Sequence, residues 1–227
     1  DYAKSIDKKN IIILPLDFRG EDNHKGSTPA RNFVHRYNCD EDVYAYWILD
    51  DNIVDYYYVN NNERYKVRTP IAFRMLEDIM DNFDNLYLVS HQYKMFCPPT
   101  DYRNIVQYNS RCYSSILIRT DIPTLNEKGD IWRGVYNEDT DLSLRILKLG
   151  LPTVNVNCMN CDKLETGGKG GNESIYKEDN NHSGKAKSEA LLEHHADCVD
   201  MVKRYGRHHH KIRTEMFADI KLKKSKD

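Results

Sequence analysis

The chain has 227 residues, of which 40 % are hydrophobic and 30 % charged, with a formal net charge of −2. That length can bury one sizeable core without disulfide stapling, and the balance is ordinary for a soluble globular protein. No apolar run approaches the roughly 20 residues of a membrane span and no signal-peptide pattern opens the sequence, so a cytosolic protein is expected.

The first predicted element is the apolar, β-branched run from Ile11 to Leu16, read as a buried strand that breaks into a polar loop at Asp17. Ser27, Thr28 and Pro29 form a helix start, and the helix is expected to continue through Phe33, Val34 and Tyr37. Val43 to Leu49 is a second buried strand ending in Asp50, Asp51 and Asn52. Strand, helix and strand at this spacing suggest a βαβ unit, and ligand sites in such sheets lie beyond the carboxyl ends of the strands. Thr69 and Pro70 open another helix, with Ile71, Phe73, Leu76, Ile79 and Met80 at helical spacing. Strands are expected at Leu86 to Val89, Ser115 to Ile118 and Pro152 to Val156. A helix should run from Glu138 to Leu149 and stop at Gly150. The Gly- and Asn-rich stretch from Thr166 to Gly184 reads as a loop over a site, and Ser188 to Lys203 as a further helix.

The charge is unevenly spread. Asp40 to Asp55 holds six acidic residues and no Lys or Arg, whereas Lys203 to Lys226 holds nine Lys or Arg against Glu215 and Asp219. An acidic pocket suits a divalent cation, and a basic end suits a polyanion. Cys158 and Cys161 have the spacing of half a zinc site, with no second pair to complete it.

Asp50 and Asp51 on a turn after a buried strand offer hard oxygen ligands of the kind Mg²⁺ or Mn²⁺ shares with a diphosphate. The alternative is a solvated acidic turn. Glu138 and Asp139 complement the dipole of the helix they open, and could equally take a proton from an attacking hydroxyl at a pocket lip. The histidines at 208, 209 and 210 could bind a metal or a phosphate, or merely face solvent.

Jointly the pattern is more specific. An Asp-Asp after a strand, a Glu-Asp opening a later helix and a late histidine resemble the nucleotide-sugar glycosyltransferases of the GT-A fold. The helix Ala30-Arg31-Asn32 and the stretch Asn137-Glu-Asp-Thr-Asp-Leu-Ser-Leu-Arg145 extend that match. More narrowly, Tyr46-Trp-Ile-Leu-Asp-Asp-Asn-Ile53, Trp132-Arg-Gly-Val-Tyr-Asn-Glu-Asp139 and Tyr205-Gly-Arg-His-His-His210 resemble the phage glycosyltransferases associated with ten-eleven-translocation (TET) dioxygenases.

That resemblance implies a single α/β, GT-A-like domain over residues 1–227, with a Rossmann-like, mostly parallel central sheet flanked by helices. The nucleotide-sugar half would occupy about 1–100 and the acceptor half about 101–227, with a basic segment at 203–227. It implies transfer from a UDP-type sugar donor to the hydroxymethyl group of 5-hydroxymethylcytosine or 5-hydroxymethyluracil in DNA, in the cytoplasm of an infected cell. Mn²⁺ or Mg²⁺ would be held by Asp50, Asp51 or Asn52 with one of His208, His209 or His210. Pro15, Arg19, Arg31, Asn32 and Asp50 would line the donor site, and Glu138 or Asp139 would act on the acceptor. Trp132, Arg133, Lys203, Arg204, Arg207, Lys211 and Arg213 would meet the DNA. Rival readings are a glycosyltransferase with a protein or small-molecule acceptor, a metal-dependent nuclease or phosphodiesterase, and a non-catalytic DNA-binding module.

Overall fold

A computed structural model of the chain describes residues 4–19, 26–100, 104–123, 129–164 and 184–226. A seven-stranded sheet is formed by β1 (Ala45–Leu49), β2 (Ile53–Asn60), β3 (Glu63–Val67), β4 (Leu88–Tyr93), β5 (Val106–Tyr108), β6 (Ser115–Arg119) and β7 (Thr153–Lys163). A separate antiparallel pair follows, β8 (Val199–Arg204) with β9 (Arg207–Ile212). The helices among the described residues are α1 (Thr28–Asp40), α2 (Ile71–Asp81), α3 (Glu138–Lys148) and α4 (Lys185–His195).

The period-2 alternation of strand side chains builds the layers. Tyr46, Ile48, Leu88, Ile116 and Ile118 point to one face, where Leu142 and Ile146 of α3 and Val34 of α1 meet them. Their neighbours Trp47, Val89 and Leu117 point to the other face, against Ala72, Leu76 and Met80 of α2. Leu76 is fully buried. The α/β class with a central sheet between helices is therefore what the chain forms. Leu144 and Leu147 of α3 face a third cluster with Leu191 of α4, Cys198, Val199 and Phe217, which seats the β8–β9 hairpin.

In detail the sheet departs from the sequence-based expectation. Its order is β1-β6-β4-β7-β2-β3, with β5 also paired to β7. β4 and β7 run parallel, and the other described neighbours are antiparallel, so the sheet is mixed. The reason is local. Asn61 and Asn62 both take positive φ (49° and 61°) in a two-residue turn, which forces β2 and β3 into a hairpin. The run from Ile11 to Leu16 is not a strand: Ile13 and Leu16 are 86 % and 105 % exposed. Apolar, β-branched composition favours extended backbone but does not supply a neighbouring strand.

One further expectation is corrected. The helix expected over Ser188 to Lys203 is α4 to His195 and then strand β8. It gives way because Tyr205 and Gly206, at φ 50° and 75°, make a two-residue hairpin turn. Gly184, at φ 68°, begins α4 so close to the carbonyl of His208 that a Cβ there would collide with it. The C-terminal segment is tied down: the Asn85 amide donates to Lys221 O at 2.9 Å and accepts from Lys223 N at 2.8 Å, and Ser225 N donates to Asn82 O. The expected Gly-rich loop falls, apart from Gly184, at residues 166–183, outside the described residues.

Asn85→Ala removes both side-chain bonds to the C-terminal segment at once. Limited trypsin digestion followed by mass spectrometry should show faster cleavage after Lys221, Lys223 and Lys224, with the main melting transition moved by only a few degrees. Unchanged cleavage would mean the segment is held by something other than Asn85.

Candidate active site

The carboxyl end of β1 delivers Asp50, whose backbone N–H donates to Ser114 O at 2.8 Å. Both its carboxylate oxygens are engaged. Oδ1 accepts from Arg31 Nη2 at 2.9 Å, and Oδ2 accepts from Ser114 Oγ at 2.6 Å and Lys163 Nζ at 2.7 Å. Lys163 ends β7, an 11-residue strand long enough to pair with β4 and β5 at one end and with β2 at the other. Its ammonium also donates to Ser114 Oγ and Tyr93 OH, at 2.8 and 3.2 Å. Burial opposes the ionised form of Asp50, but Arg31 and Lys163 outweigh it and hold the carboxyl below its usual range.

Arg31 lies in the first turn of α1, where three neighbours fix it to the loop before α3. Ser27 precedes the helix, yet its hydroxyl caps no backbone group and donates instead to Glu138 Oε1 at 2.6 Å. Thr28 Oγ1 donates to Gly134 O at 2.6 Å, and the Asn32 amide brackets Trp132, accepting from its N at 2.8 Å and donating to its O at 2.9 Å. The guanidinium rests on the Trp132 ring, 4.8 Å from its centroid. Its Nη1 is 3.4 Å from Glu138 Oε1 but makes no hydrogen bond, which leaves a buried donor available. Burial would lower the Arg31 pKa, but Glu138, Asp50 and Asp139 together raise it, so this cation does not titrate.

Asp139 follows Glu138 in the first turn of α3, and its Oδ1 accepts from Thr140 N at 2.7 Å. Burial, then the charges of Glu138 and Asp50, push its carboxyl up to about 6 against the pull of Arg31. Asp139 keeps some solvent exposure. A carboxyl in that range accepts a proton near neutrality and can also release one.

The expected site residues therefore divide. Arg31, Asn32, Asp50, Glu138 and Asp139 come together. Pro15 and Arg19 lie in the irregular N-terminal segment, Arg19 over the Phe18 ring at 5.0 Å, and neither is a partner of Asp50. Trp132 is 2 % exposed and supports Arg31. Arg133 turns to Asp141, with Nε at 2.9 and 3.0 Å from its two oxygens. Lys203, Arg204, Arg207 and Lys211 are on the hairpin, and Arg213 follows it, 3.6 Å from Asp200. His210 Nε2 accepts from Arg111 Nη1 at 3.0 Å, and burial followed by the Arg111 charge lowers its pKa to about 4. The histidine strand reaches the Asp50 cluster only indirectly. Arg111 lies over Tyr113, which meets Tyr93 edge-on at 4.2 Å.

A hard divalent cation fits part of the expected ligand set. Asp51 is exposed, and Asn52 Oδ1 is buried without a hydrogen-bond partner, so this turn carries oxygens that no protein donor claims. Asp50 itself is already neutralised by two cations, and His208 and His210 are not brought to this turn.

Sequence reasoning missed Ser27, Tyr93, Ser114 and Lys163. Lys163, beside Asp162 at the end of an Asn-rich stretch, carried no readable signal, and neither did Ser114 or Tyr93. Beside the cluster, Gln92, Phe96, Gln107, Ser110, Arg111, Tyr113 and Asn157 line a cavity of about 270 Å³. Tyr113 OH donates to Gln92 Oε1 at 2.5 Å, and Asn157 Oδ1 is buried and unpartnered.

The model of one protein family, the TET-Associated Glycosyltransferases, matches residues 1–171. No curated protein and no solved structure matches the chain. No helix among the described residues is long and apolar enough to cross a membrane.

The raised carboxyl of Asp139 has a signed consequence for stability. Its folded-state pKa of about 6 exceeds the ordinary 3.8, so its contribution is complete below the ordinary value and is lost as pH climbs through 6. Asp139→Asn should therefore melt higher than the parent at pH 8, with the difference shrinking by pH 4. A difference independent of pH would contradict the assignment.

Proposed function

The chain belongs to the TET-associated glycosyltransferase family, and from that premise we propose that it moves a sugar from a nucleotide-sugar donor to the hydroxymethyl group of a modified pyrimidine in DNA. The observation that carries this reading is the ion-pair bridge of Arg31 between Asp50 and Glu138, which joins the strand-end acid to the acid pair of α3.

Transfer forms a bond from the acceptor oxygen to the sugar C1, breaks the bond from C1 to the diphosphate oxygen, and releases the hydroxyl proton. Arg31 and Lys163 supply two fixed cations where the diphosphate departs, and the free Nη1 of Arg31 is a ready donor to it. Asp51 and Asn52 would hold Mn²⁺ or Mg²⁺, which supplies Lewis-acid stabilisation of the leaving group when bound. Asp139 takes the acceptor proton, because its carboxyl titrates near 6 while Asp50 remains ionised. Two partly buried cations suit an anionic leaving group better than the carboxylate-ringed metal pair of a nuclease.

The β8–β9 hairpin supports DNA as the acceptor. Its register pairs Arg204 with Arg207, Val202 with His209 and Asp200 with Lys211 on one face, while Val199 and Ile212 on the opposite face enter the core beside α4. The outward face is thus basic, and Tyr205 at the tip is 96 % exposed. Cations on a two-stranded ribbon suit the phosphates flanking a groove. The cavity lined by Gln92, Gln107, Arg111 and Tyr113 offers amide, guanidinium and ring contacts of the kind that hold an extruded base.

The deciding experiment incubates the protein with Mn²⁺, a panel of nucleotide sugars and duplexes containing cytosine, 5-methylcytosine, 5-hydroxymethylcytosine or 5-hydroxymethyluracil. Digested nucleosides are then weighed. The expected result is a sugar increment on a hydroxymethyl base alone, abolished by Asp51→Ala and Asp139→Asn, with a rate that rises as pH climbs through about 6. Donor hydrolysis without an increment would remove DNA as the acceptor, and cleaved DNA without sugar transfer would remove the reading altogether.

A further inference from the structure

Across α3 from Asp139, a second charged network sits beneath the hairpin and has no part in the transfer described above. Asp141 is buried at its centre. It accepts from Arg133, from Arg145 Nε at 2.9 Å and from His195, whose Nε2 is 2.8 Å from Asp141 Oδ1. Positions two apart on a helix face opposite ways, so Asp141 and Asp139 serve different sides. His195 ends α4 and is 1 % exposed. With Nε2 held by Asp141, its other ring nitrogen, Nδ1, is buried and makes no hydrogen bond among the described residues. A buried imidazole nitrogen with nothing to bind is costly unless a partner arrives.

What lies beside it supplies the partner's chemistry. A ring nitrogen of His195, a carboxylate oxygen of Asp197 and Sγ of Cys198 all fall within 4.8 Å of one another. Cys198 is fully buried in the cluster between α3 and α4. Asp197 is exposed, and Lys148 Nζ holds its Oδ1 at 2.6 Å, leaving Oδ2.

We propose that His195, Asp197 and Cys198 form a site for a borderline divalent cation of the Zn²⁺ class, separate from the hard-oxygen turn at Asp51 and Asn52. One imidazole, one carboxylate and one thiolate are ligands zinc accepts, and a tetrahedral shell leaves a fourth position for water. Zinc bonds of roughly 2.0–2.3 Å put such ligand atoms about 3.3–3.6 Å apart, so the three donors need close by no more than about 1.5 Å. The carboxylate behind the imidazole is the arrangement that orients a metal-bound histidine and strengthens it as a ligand. Binding releases the thiol proton of Cys198 to solvent and changes no oxidation state. The ion joins the end of α4 to the start of β8, since Cys198 N already donates to His195 O and Arg213 N to Cys198 O. Through Asp141 it also reaches α3, and so fixes the hairpin relative to the helix that carries Glu138 and Asp139.

Co²⁺ is the probe, because a thiolate ligand gives it a near-ultraviolet charge-transfer band that oxygen ligands do not. The reduced full-length protein should take up one Co²⁺ with that band, and Zn²⁺ should displace it. Cys198→Ser should abolish the band, whereas Cys39→Ser should keep it; Cys39 is the control because its Sγ is 3.5 Å from His35 Nε2. Asp197→Asn is an exposed change that leaves the interior intact, and should weaken Zn²⁺ binding about tenfold or more. No band in the parent, a band that survives Cys198→Ser, or unaltered affinity in Asp197→Asn overturns the site.

Discussion

The ion pair between Arg31 and Asp50 is the constraint on which the rest of the site depends. Neither residue could stay charged in its place alone, because taking a charge out of water costs several kcal/mol unless a partner and hydrogen bonds offset it. The fold supplies those partners from distant segments: Ser114 from the start of β6, Lys163 from the end of β7 and Glu138 from the start of α3. The edge strand, the longest strand and two helices are thereby tied at one end of the sheet. Truncating any one charge would leave another uncompensated, so the group behaves as a unit.

This economy explains features that are odd taken singly. Ser27 forgoes capping its helix because Glu138 needs a donor. Trp132 is almost wholly buried because it forms the floor beneath the Arg31 guanidinium. Asp139, with no cation of its own in contact, carries the excess negative charge and holds its proton to about pH 6. The separation of roles between a fully paired Asp50 and an underpaired Asp139 follows from where the two cations sit, since the side chains are chemically the same.

Much of this was legible in the residues, and the remainder has identifiable reasons for not being so. The continuous apolar run from Val43 to Leu49 and the helical spacing from Ile71 to Met80 report burial directly, and both elements form where expected. Asp50 and the pair Glu138 and Asp139 were visible only through their joint order, which resembles the GT-A glycosyltransferases, since each acid alone also fits a solvated turn or a helix dipole, and Arg31 entered with that resemblance. Sheet partners were not visible. The run from Ile11 to Leu16 has a strand's composition without a neighbour, and the parallel reading missed the turns at Asn61 and at Tyr205 that fold β2–β3 and β8–β9 back on themselves. The histidines from 208 to 210 show the same limit. Spacing put imidazoles late in the chain, but strand register turns His210 to Arg111. His195, which carries the unpaired nitrogen, stood in no recognisable motif.

The central claim is that Arg31 and Lys163, held in place by Asp50, present a preassembled cationic site to the donor diphosphate. Calorimetric titration of the common nucleoside diphosphates in the presence of Mn²⁺ tests it most directly, comparing the parent with Lys163→Met, which keeps the aliphatic stem and removes the charge. The account predicts that one nucleoside diphosphate binds the parent and that its affinity falls at least about tenfold in the variant, a loss of about 1.4 kcal/mol. Equal affinity in the two proteins would contradict it, because Lys163 would then serve only to neutralise Asp50.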